Sequence, residues 1–378
     1  MVAALISDRL SPANCPRLIV KIGSALLVDK AGHIRREWLE TVVADVAARR
    51  KAGQQVAIVS SGAIALGARV LGLPKGGRVS LEDAQAAAAT GQIGLSSAWA
   101  QLLHEKGLVA AQMLVTLDDL EDRRRYLNAA ATLDRLLALG VVPVINENDS
   151  VATTEIRFGD NDRLAARVGQ AAAAQGVILL SDIDGLYTAN PGVDPNATLV
   201  PEVRVVDARI RAMADGGSAS GMGSGGMISK LEAARIAQGS GAHLAIVSGR
   251  VDHPLARFAD TGIGTLFWGG AGKRGRKAWL AGRLTARGRI IVDAGAAKAL
   301  RDGRSLLAAG ATGVEGAFAR GDVVEIVDAD GHLLARGLAE YDAIDAARII
   351  GRRSDAHADL LGYAPRSSMV HRDHLVLV

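Results

Sequence analysis

The sequence has little cysteine, no strong excess of either charge and no long apolar run. Cys15 is the only cysteine in 378 residues, so the chain can form neither an internal disulfide nor a cysteine-rich metal site. This composition suits a reducing cytoplasm. Lysine and arginine total 44 against 40 acidic residues, and a net charge of +4 does not favour a nucleic-acid binder.

No segment reads as a membrane span or an export signal. The longest charge-free stretch that we find, Ala84 to His104, contains three glutamines, two serines and two glycines, which is too polar to cross a bilayer. Residues 1–16 carry Asp8, Arg9 and Pro12 and lack an apolar run of signal length. We interpret them as a short N-terminal extension and expect a cytoplasmic protein.

What the chain does have is enough apolar sequence for about two domains of roughly 100 to 200 residues each. Hydrophobic residues make up 49% of it. From residue 17 to about 270, Val- and Ile-rich runs alternate with Ala-rich helical segments, which predicts helices around a mainly parallel sheet. The predicted strands are Leu18 to Ile22, Val56 to Val59, Leu108 to Val115, Val141 to Ile145, Val177 to Leu180 and Leu244 to Val247. The predicted helices are Arg35 to Lys51, Leu81 to His104, Leu120 to Leu139, Arg163 to Ala174 and Lys230 to Gln238.

The composition changes at Trp268 to Arg276, where glycines and basic residues replace apolar periodicity, and we predict a linker there. Short β-like runs follow, and Asp330-Gly331 is a strong hairpin signal between the last two. We therefore expect a domain over 17–270 and a small β-rich, barrel-like domain over 276–378. The β-like runs are Ala278 to Ala281, Arg289 to Val292, Val323 to Val327 and His332 to Ala335.

Two small-residue turns follow predicted strands of the first domain, at the edge where open α/β sheets bind ligands. In Lys21 to Ser24, a lysine at a strand end precedes Gly23 and Ser24, which suits a bound phosphate. Taken alone, this motif is more often a strand-edge lysine before an ordinary turn. Ser60 to Ile64 is the second such turn, and it is equally consistent with a ligand-binding turn and with a helix that starts on small residues.

The segment Gly221 to Lys230 is the richest in glycine, and it formally contains G-x-G-x-x-G. A dinucleotide fingerprint needs a strand immediately before it, and here the preceding residues are not strand-like. The spacing of a P-loop is also absent. We interpret the segment as an anion-binding loop that ends in Lys230, with a plain glycine-rich linker as the alternative.

Polar residues cluster in Asn146 to Asp149, after a predicted strand, and in Gly159 to Asp162, before a predicted helix. Capping and turn formation explain part of this pattern. Two such clusters could also bind an ammonium through carboxylates and a carboxylate through amides, as an amino acid requires. Ser181 to Thr188 follows another buried strand and could surround a nucleotide, although alone it is a turn.

Taken together, these motifs resemble those of the amino-acid kinase family, over nearly the whole chain. The resemblance is to bacterial members that phosphorylate L-glutamate and carry a C-terminal PUA domain. It implies a three-layer α/β/α sandwich with a mainly parallel sheet, followed by a small PUA-like β-barrel. The motifs that carry it are Lys21 to Ser24, Ser60 to Ala63, Asn146 to Asp149, Gly159 to Asp162, Ser181 to Asp182 and Ser224 to Lys230.

The resemblance also implies a reaction and its residues: the ATP γ-phosphoryl group is transferred, with Mg²⁺, to the side-chain carboxylate of L-glutamate, as the first step of proline biosynthesis. Lys21 and Lys230 match the two phosphate-contacting lysines, and Asp162 matches the aspartate that holds them. The residues that match glutamate contacts are Ser61, Asp149 and Asn161, with Asn146 and Asp160 as further candidates. Those that match nucleotide contacts are Lys21, Gly23, Ser24, Ser181, Asp182, Ser224, Gly225, Gly226, Met227, Ile228, Ser229 and Lys230.

By the same resemblance, we expect a homo-oligomer, either a dimer or a tetramer, feedback inhibition by proline, and a glutamyl phosphate reductase that receives the product. We expect no protein-built metal site, since the histidines cluster at none of these motifs. Two alternatives stay open: a kinase for aspartate or N-acetylglutamate, and an RNA-binding PUA protein. Against the second, residues 276–378 contain 15 basic and 13 acidic residues, and their four aromatics suit a core better than a stacking platform.

Overall fold

The computed structural model describes residues 5–151, 160–214, 226–270 and 286–378. The chain divides into two compact units. The first comprises residues 1–121 and 129–272, and the second comprises residues 122–128 and 273–378.

The first unit is built on a twisted sheet whose strand order is β3-β4-β2-β1-β5-β7-β8-β6. Neighbouring strands are parallel except β7 and β8. All six predicted strands are present, within two residues at either end. The two that the sequence did not reveal, β6 and β8, are too short to show a pattern. The strands are β1 (Arg17–Ile22), β2 (Gln55–Ser60), β3 (Ala110–Val115), β4 (Val142–Glu147), β5 (Gly176–Ser181), β6 (Glu202–Val203), β7 (His243–Ser248) and β8 (Thr265–Phe267).

Ten α-helices are described between residues 5 and 270. Capping residues mark several helix ends: Ser80 accepts a hydrogen bond from the Asp83 backbone N–H, and Gly53, Gly140 and Gly241 have positive φ just after helices. The helices are α1 (Ser24–Leu27), α2 (Arg36–Lys51), α3 (Ala63–Val70), α4 (Leu81–Glu105), α5 (Leu117–Glu121), α6 (Arg123–Ala138), α7 (Asp160–Ala171), α8 (Ala208–Ala214), α9 (Met227–Ser240) and α10 (Pro254–Thr261).

One helix prediction is wrong: the segment Leu120 to Leu139 is not continuous. Thr116 and Asp119 form a reciprocal capping box that starts α5 early. The Asp122 carboxylate then accepts a hydrogen bond from the Arg125 backbone, which starts α6 as a separate helix. Side-chain caps therefore divide a segment whose apolar spacing looked continuous.

Strand alternation decides which layer each side chain of β1 enters. Leu18, Val20 and Ile22 belong to the main apolar core, which also holds side chains of α2, α4 and α10. Successive side chains of a strand point to opposite faces, so Ile19 and Lys21 point to the other layer. That layer is formed by α7 and α9, and Ile19 approaches Gly169 of α7. The result is the three-layer α/β/α arrangement that the resemblance implied.

The N-terminal extension, which had no predicted role, contributes to the core of the first unit. Leu10 and Cys15 are completely buried. The buried amide of Gln54 donates to the backbone oxygens of both residues.

Across the described residues, no helix combines the length and the apolarity that a membrane crossing needs.

The second unit contains a separate five-stranded sheet in the order β10-β9-β11-β12-β13. The hairpin predicted at Asp330-Gly331 is confirmed, since β11 and β12 pair antiparallel and Gly331 has φ +83°. The predicted run at Ala278 to Ala281, and the linker from residue 271 onward, lie outside the described residues. The strands are β9 (Gly288–Val292), β10 (Ala311–Gly316), β11 (Val323–Val327), β12 (Leu333–Leu338) and β13 (Leu375–Leu377), and the helices are α11 (Ala294–Arg301), α12 (Ala343–Ile349) and α13 (His357–Leu361).

The aromatic side chains of this unit only partly follow the expectation that they form its core. Phe318 and Tyr341 are buried. Tyr363 is exposed, and its hydroxyl is held by the carboxylate of Asp345. Trp279 lies outside the described residues.

Candidate active site

Three charged side chains from distant parts of the chain meet beyond the end of β1. The Lys21 Nζ lies 2.5 Å from Asp162 Oδ1, and the Lys230 Nζ donates to Asp162 Oδ2 at 3.0 Å. All three are buried, with relative exposures of 8% for Lys21, 7% for Lys230 and 0% for Asp162. One carboxylate thus holds two ammonium groups, which leaves the cluster with one net positive charge.

Local structure explains why these three meet. Strand alternation directs Lys21 into the layer of α7 and α9. Asp162 lies in the first turn of α7 and Lys230 in the first turn of α9, so both helices begin at this edge of the sheet. A Cβ at Gly23 would lie 3.7 Å from the Lys21 Nζ, so the glycine keeps the space beside the ammonium open.

The protonation states follow from burial and from charge. Burial lowers the pKa of Lys21 below its ordinary value, although the Asp162 charge acts against that effect. Burial alone would raise the pKa of Asp162, but the charges and hydrogen bonds of Lys21 and Lys230 outweigh it and lower that pKa. Asp162 is therefore ionised at neutral pH. An anion near Lys21 would offset the cost of burying its charge.

A second cluster, made of hydroxyl and amide groups, lies beyond the ends of β2 and β4. The Asn161 Nδ2 donates to Ser61 Oγ at 2.7 Å, and it lies 3.4 Å from both the Ser60 carbonyl oxygen and Asn146 Oδ1. Asn146 is 2% exposed. We refer to Ser61, Asn146 and Asn161 as the amide cluster. It adjoins the charged cluster because Asn161 directly precedes Asp162.

The amide cluster contains one acceptor without a partner. Asn161 Oδ1 is buried and accepts no hydrogen bond from any described residue. A buried acceptor left unpaired costs roughly 1 to 3 kcal/mol, so a ligand N–H or O–H placed there would recover that free energy. The Ser61 hydroxyl already accepts from Asn161, so its own proton can be donated to a ligand.

Asp149 lies beside a cavity of about 300 Å³ next to the amide cluster. Asp149 is 8% exposed, and its charge acts on the guanidinium of Arg78. Two further polar residues of this cavity, Gln92 and Gln112, were not predicted from the sequence. No motif marks them, because α4 and β3 bring them to the cavity through tertiary packing. The other lining residues are Ala63, Ala88, Ala89, Ile93, Leu114, Glu147, Asn148 and Ser150.

The predicted nucleotide contacts lie at the ends of β1 and β5 and at the start of α9. Gly23 caps α1, and Ser24 is its first residue. The Ser181 hydroxyl donates to the Asp182 carboxylate at 3.2 Å, and the Asp182 charge acts on Lys21. Gly226 caps α9, whose first four residues are Met227 to Lys230. Ser224, Gly225 and the side chain of Asp160 lie outside what the structure describes.

The profile of the amino acid kinase family matches residues 16–248, and that of the PUA domain matches residues 288–361. The chain belongs to the amino acid kinase family.

Three curated relatives, all described as glutamate 5-kinase, match over 97% of this chain. The protein from Sphingopyxis alaskensis is 69% identical, with 99% of its own length covered. Those from Zymomonas mobilis and Novosphingobium aromaticivorans are each 62% identical, with 92% and 97% of their lengths covered.

Proposed function

We propose that this protein is an ATP-dependent kinase for the side-chain carboxylate of L-glutamate, which it converts to L-glutamyl 5-phosphate as the first step of proline biosynthesis. The observation that carries the proposal is the buried pair of ammonium groups on Asp162. The glutamate 5-kinase relatives, at 62% to 69% identity over 97% of the chain, supply the substrate. Residues 17–270 would hold both substrates, and residues 276–378 would form the PUA-like domain.

Transfer to a carboxylate needs no general base, because a carboxyl group is already ionised at neutral pH. The protein must instead align the two anions and neutralise the charge that develops on the phosphoryl oxygens. In our proposal, the Lys21 and Lys230 ammonium groups contact the transferred phosphoryl group. Asp162 holds both ammonium groups in place through its two oxygens, and it takes no proton during the reaction.

The amide cluster and Asp149 suit the other end of a glutamate molecule. The Asn161 Oδ1 and the Asp149 carboxylate would accept hydrogen bonds from the α-ammonium group, and the Ser61 hydroxyl would donate to a carboxylate oxygen. The cavity beside Asp149 gives the amino-acid substrate room. Asn146 and Asp160 stay proposed contacts of the same substrate.

The nucleotide would lie along Gly23, Ser24, Ser181 and Asp182 and against residues 224–230. The described residues fit Mg²⁺ to a limited extent: both oxygens of Asp162 are taken by lysines, whereas Asp182 offers an exposed carboxylate whose charge acts on Lys21. Mg²⁺ favours such a carboxylate together with phosphate oxygens, and when bound it would supply further neutralisation of phosphate charge.

The proposal also includes an oligomeric state, an inhibitor and a partner enzyme, which are taken from the resemblance to the family. We expect a dimer or tetramer, with proline as feedback inhibitor. The product is an acyl phosphate that water hydrolyses, so a glutamyl phosphate reductase would be its consumer.

The direct test is turnover of the purified protein with ATP and Mg²⁺, with hydroxylamine added to trap the acyl phosphate as a hydroxamate. Glutamate, aspartate and N-acetylglutamate are compared under one set of conditions. We expect hydroxamate with glutamate only. If aspartate or N-acetylglutamate were turned over faster, that compound and not glutamate would be the substrate. Salt-sensitive RNA binding without turnover would favour the RNA-binding alternative.

A further inference from the structure

Gln92, in the middle of α4, contacts the amide cluster, although no part of the proposed reaction uses it. Its Oε1 accepts a hydrogen bond from the Asn146 Nδ2 at 2.8 Å, and its Nε2 donates to Ser96 Oγ at 3.0 Å. It also lines the cavity beside Asp149. Gln92 therefore lies where it can affect the orientation of the side chains that the amide cluster offers to a ligand.

The orientation of the Asn146 amide is fixed from both ends. The Glu147 backbone N–H donates to Asn146 Oδ1 at 2.9 Å, so the amino group must point the other way. That amino group is buried with the rest of a side chain that is 2% exposed, and it needs an acceptor. Of the described residues, Gln92 provides it.

The orientation of Asn146 in turn affects the residues that are proposed to bind glutamate. Asn146 Oδ1 faces the Asn161 Nδ2 at 3.4 Å, and the same Nδ2 donates to Ser61 at 2.7 Å. This arrangement leaves Asn161 Oδ1 as the acceptor without a partner. If Asn146 turned, the acceptor and the Ser61 hydroxyl would lose their alignment.

We propose that Gln92 is a positioning residue for glutamate: by holding the Asn146 amide, it aligns Asn161 and Ser61 for the amino-acid end of the substrate. The inference rests on the proposed function. No described hydrogen bond or ion pair joins Gln92 to Lys21, Asp162 or Lys230. Its loss should therefore weaken glutamate binding and leave phosphoryl transfer nearly unchanged.

The test is a double-mutant cycle of Gln92→Met and Asn146→Ala, assayed for the KM of glutamate, the KM of ATP and kcat. Gln92→Met keeps the length of the side chain and removes the acceptor. We expect about a tenfold rise in the KM of glutamate, and changes below about twofold in kcat and in the KM of ATP. In the Asn146→Ala background, Gln92→Met should add less than about twofold, because the group that it holds is gone.

Gln101→Met is the matched control, since Gln101 lies on the same helix, is exposed and has its one described side-chain hydrogen bond with Arg36. If Gln92→Met does not fold, Gln92→Asn replaces it, because its amide is too short to reach Asn146. An unchanged KM of glutamate, an equal rise in the KM of ATP, or an equal effect in both backgrounds would overturn the proposal. A wild-type protein that does not phosphorylate glutamate would instead refute the proposed function.

Discussion

Beyond β1 the buried polar groups of the candidate site are charged, whereas the amide cluster beyond β2 and β4 consists of amides and a hydroxyl, with the Asp149 carboxylate beside it. The Lys21–Asp162–Lys230 cluster is internally paired and retains one net positive charge, so it attracts an anion without specifying its shape. The amide cluster has no net charge, and it leaves an acceptor at a defined position. We infer that the first cluster provides rate and the second provides substrate choice.

Removing the shared carboxylate should have the largest effect. Asp162→Asn leaves two buried ammonium groups without a counter-charge, so we expect a loss of about 3 to 5 kcal/mol in the free energy of unfolding, together with loss of activity. Urea denaturation at pH 7 measures the change in the free energy of unfolding. Asp260→Asn, at an exposed position on α10, is the control and should be neutral. An Asp162→Asn protein as stable as the wild type would show that the lysines do not depend on this carboxylate.

Removing either lysine should reduce rate rather than stability. Lys21→Ala or Lys230→Ala leaves Asp162 paired with the other lysine, so folding should survive, while kcat should fall by at least about 10²-fold. Steady-state kinetics with saturating substrates measures the change, and Lys106→Ala, an exposed lysine, serves as control. Near-normal turnover by a variant that binds ATP would refute the role of the charged cluster.

Changes in the amide cluster, or at Asp149 beside it, should instead raise the KM of glutamate. We expect roughly a tenfold increase for Asp149→Asn and for Asn161→Ala, from the loss of one hydrogen bond to the α-ammonium group, with the KM of ATP within about twofold of wild type. Asn196→Ala, in an exposed loop, is the control. If both KM values rose together, the separation of the two clusters into rate and substrate choice would fail.

The smallest effect should appear in the alkaline pH dependence. Burial lowers the pKa of Lys21, so the free enzyme should lose its active, protonated lysine at a lower pH than an ordinary lysine would. Bound phosphate groups raise that pKa again. The alkaline decline of kcat/KM for ATP, which reports the free enzyme, should therefore lie at lower pH than that of kcat, which reports the complex. Coincident declines in both profiles would argue against Lys21 as the titrating group, and Lys51→Ala, at an exposed position, should leave both unchanged.

Sequence by itself determined the repeated strand and helix pattern and the motifs that fall at strand ends. These are local properties: alternation and turn chemistry act over a few residues, so β1, β5 and the Asp330-Gly331 hairpin could be predicted without a partner segment. Only the tertiary structure decided which side chains share a site. Gln92 has no motif, because only the packing of α4 brings it to Asn146. Lys21 and Lys230 both reach Asp162 because their elements join the same layer beside the sheet. The two lysines are 209 positions apart in the sequence, so the packing of the sheet brings them together and local preference does not.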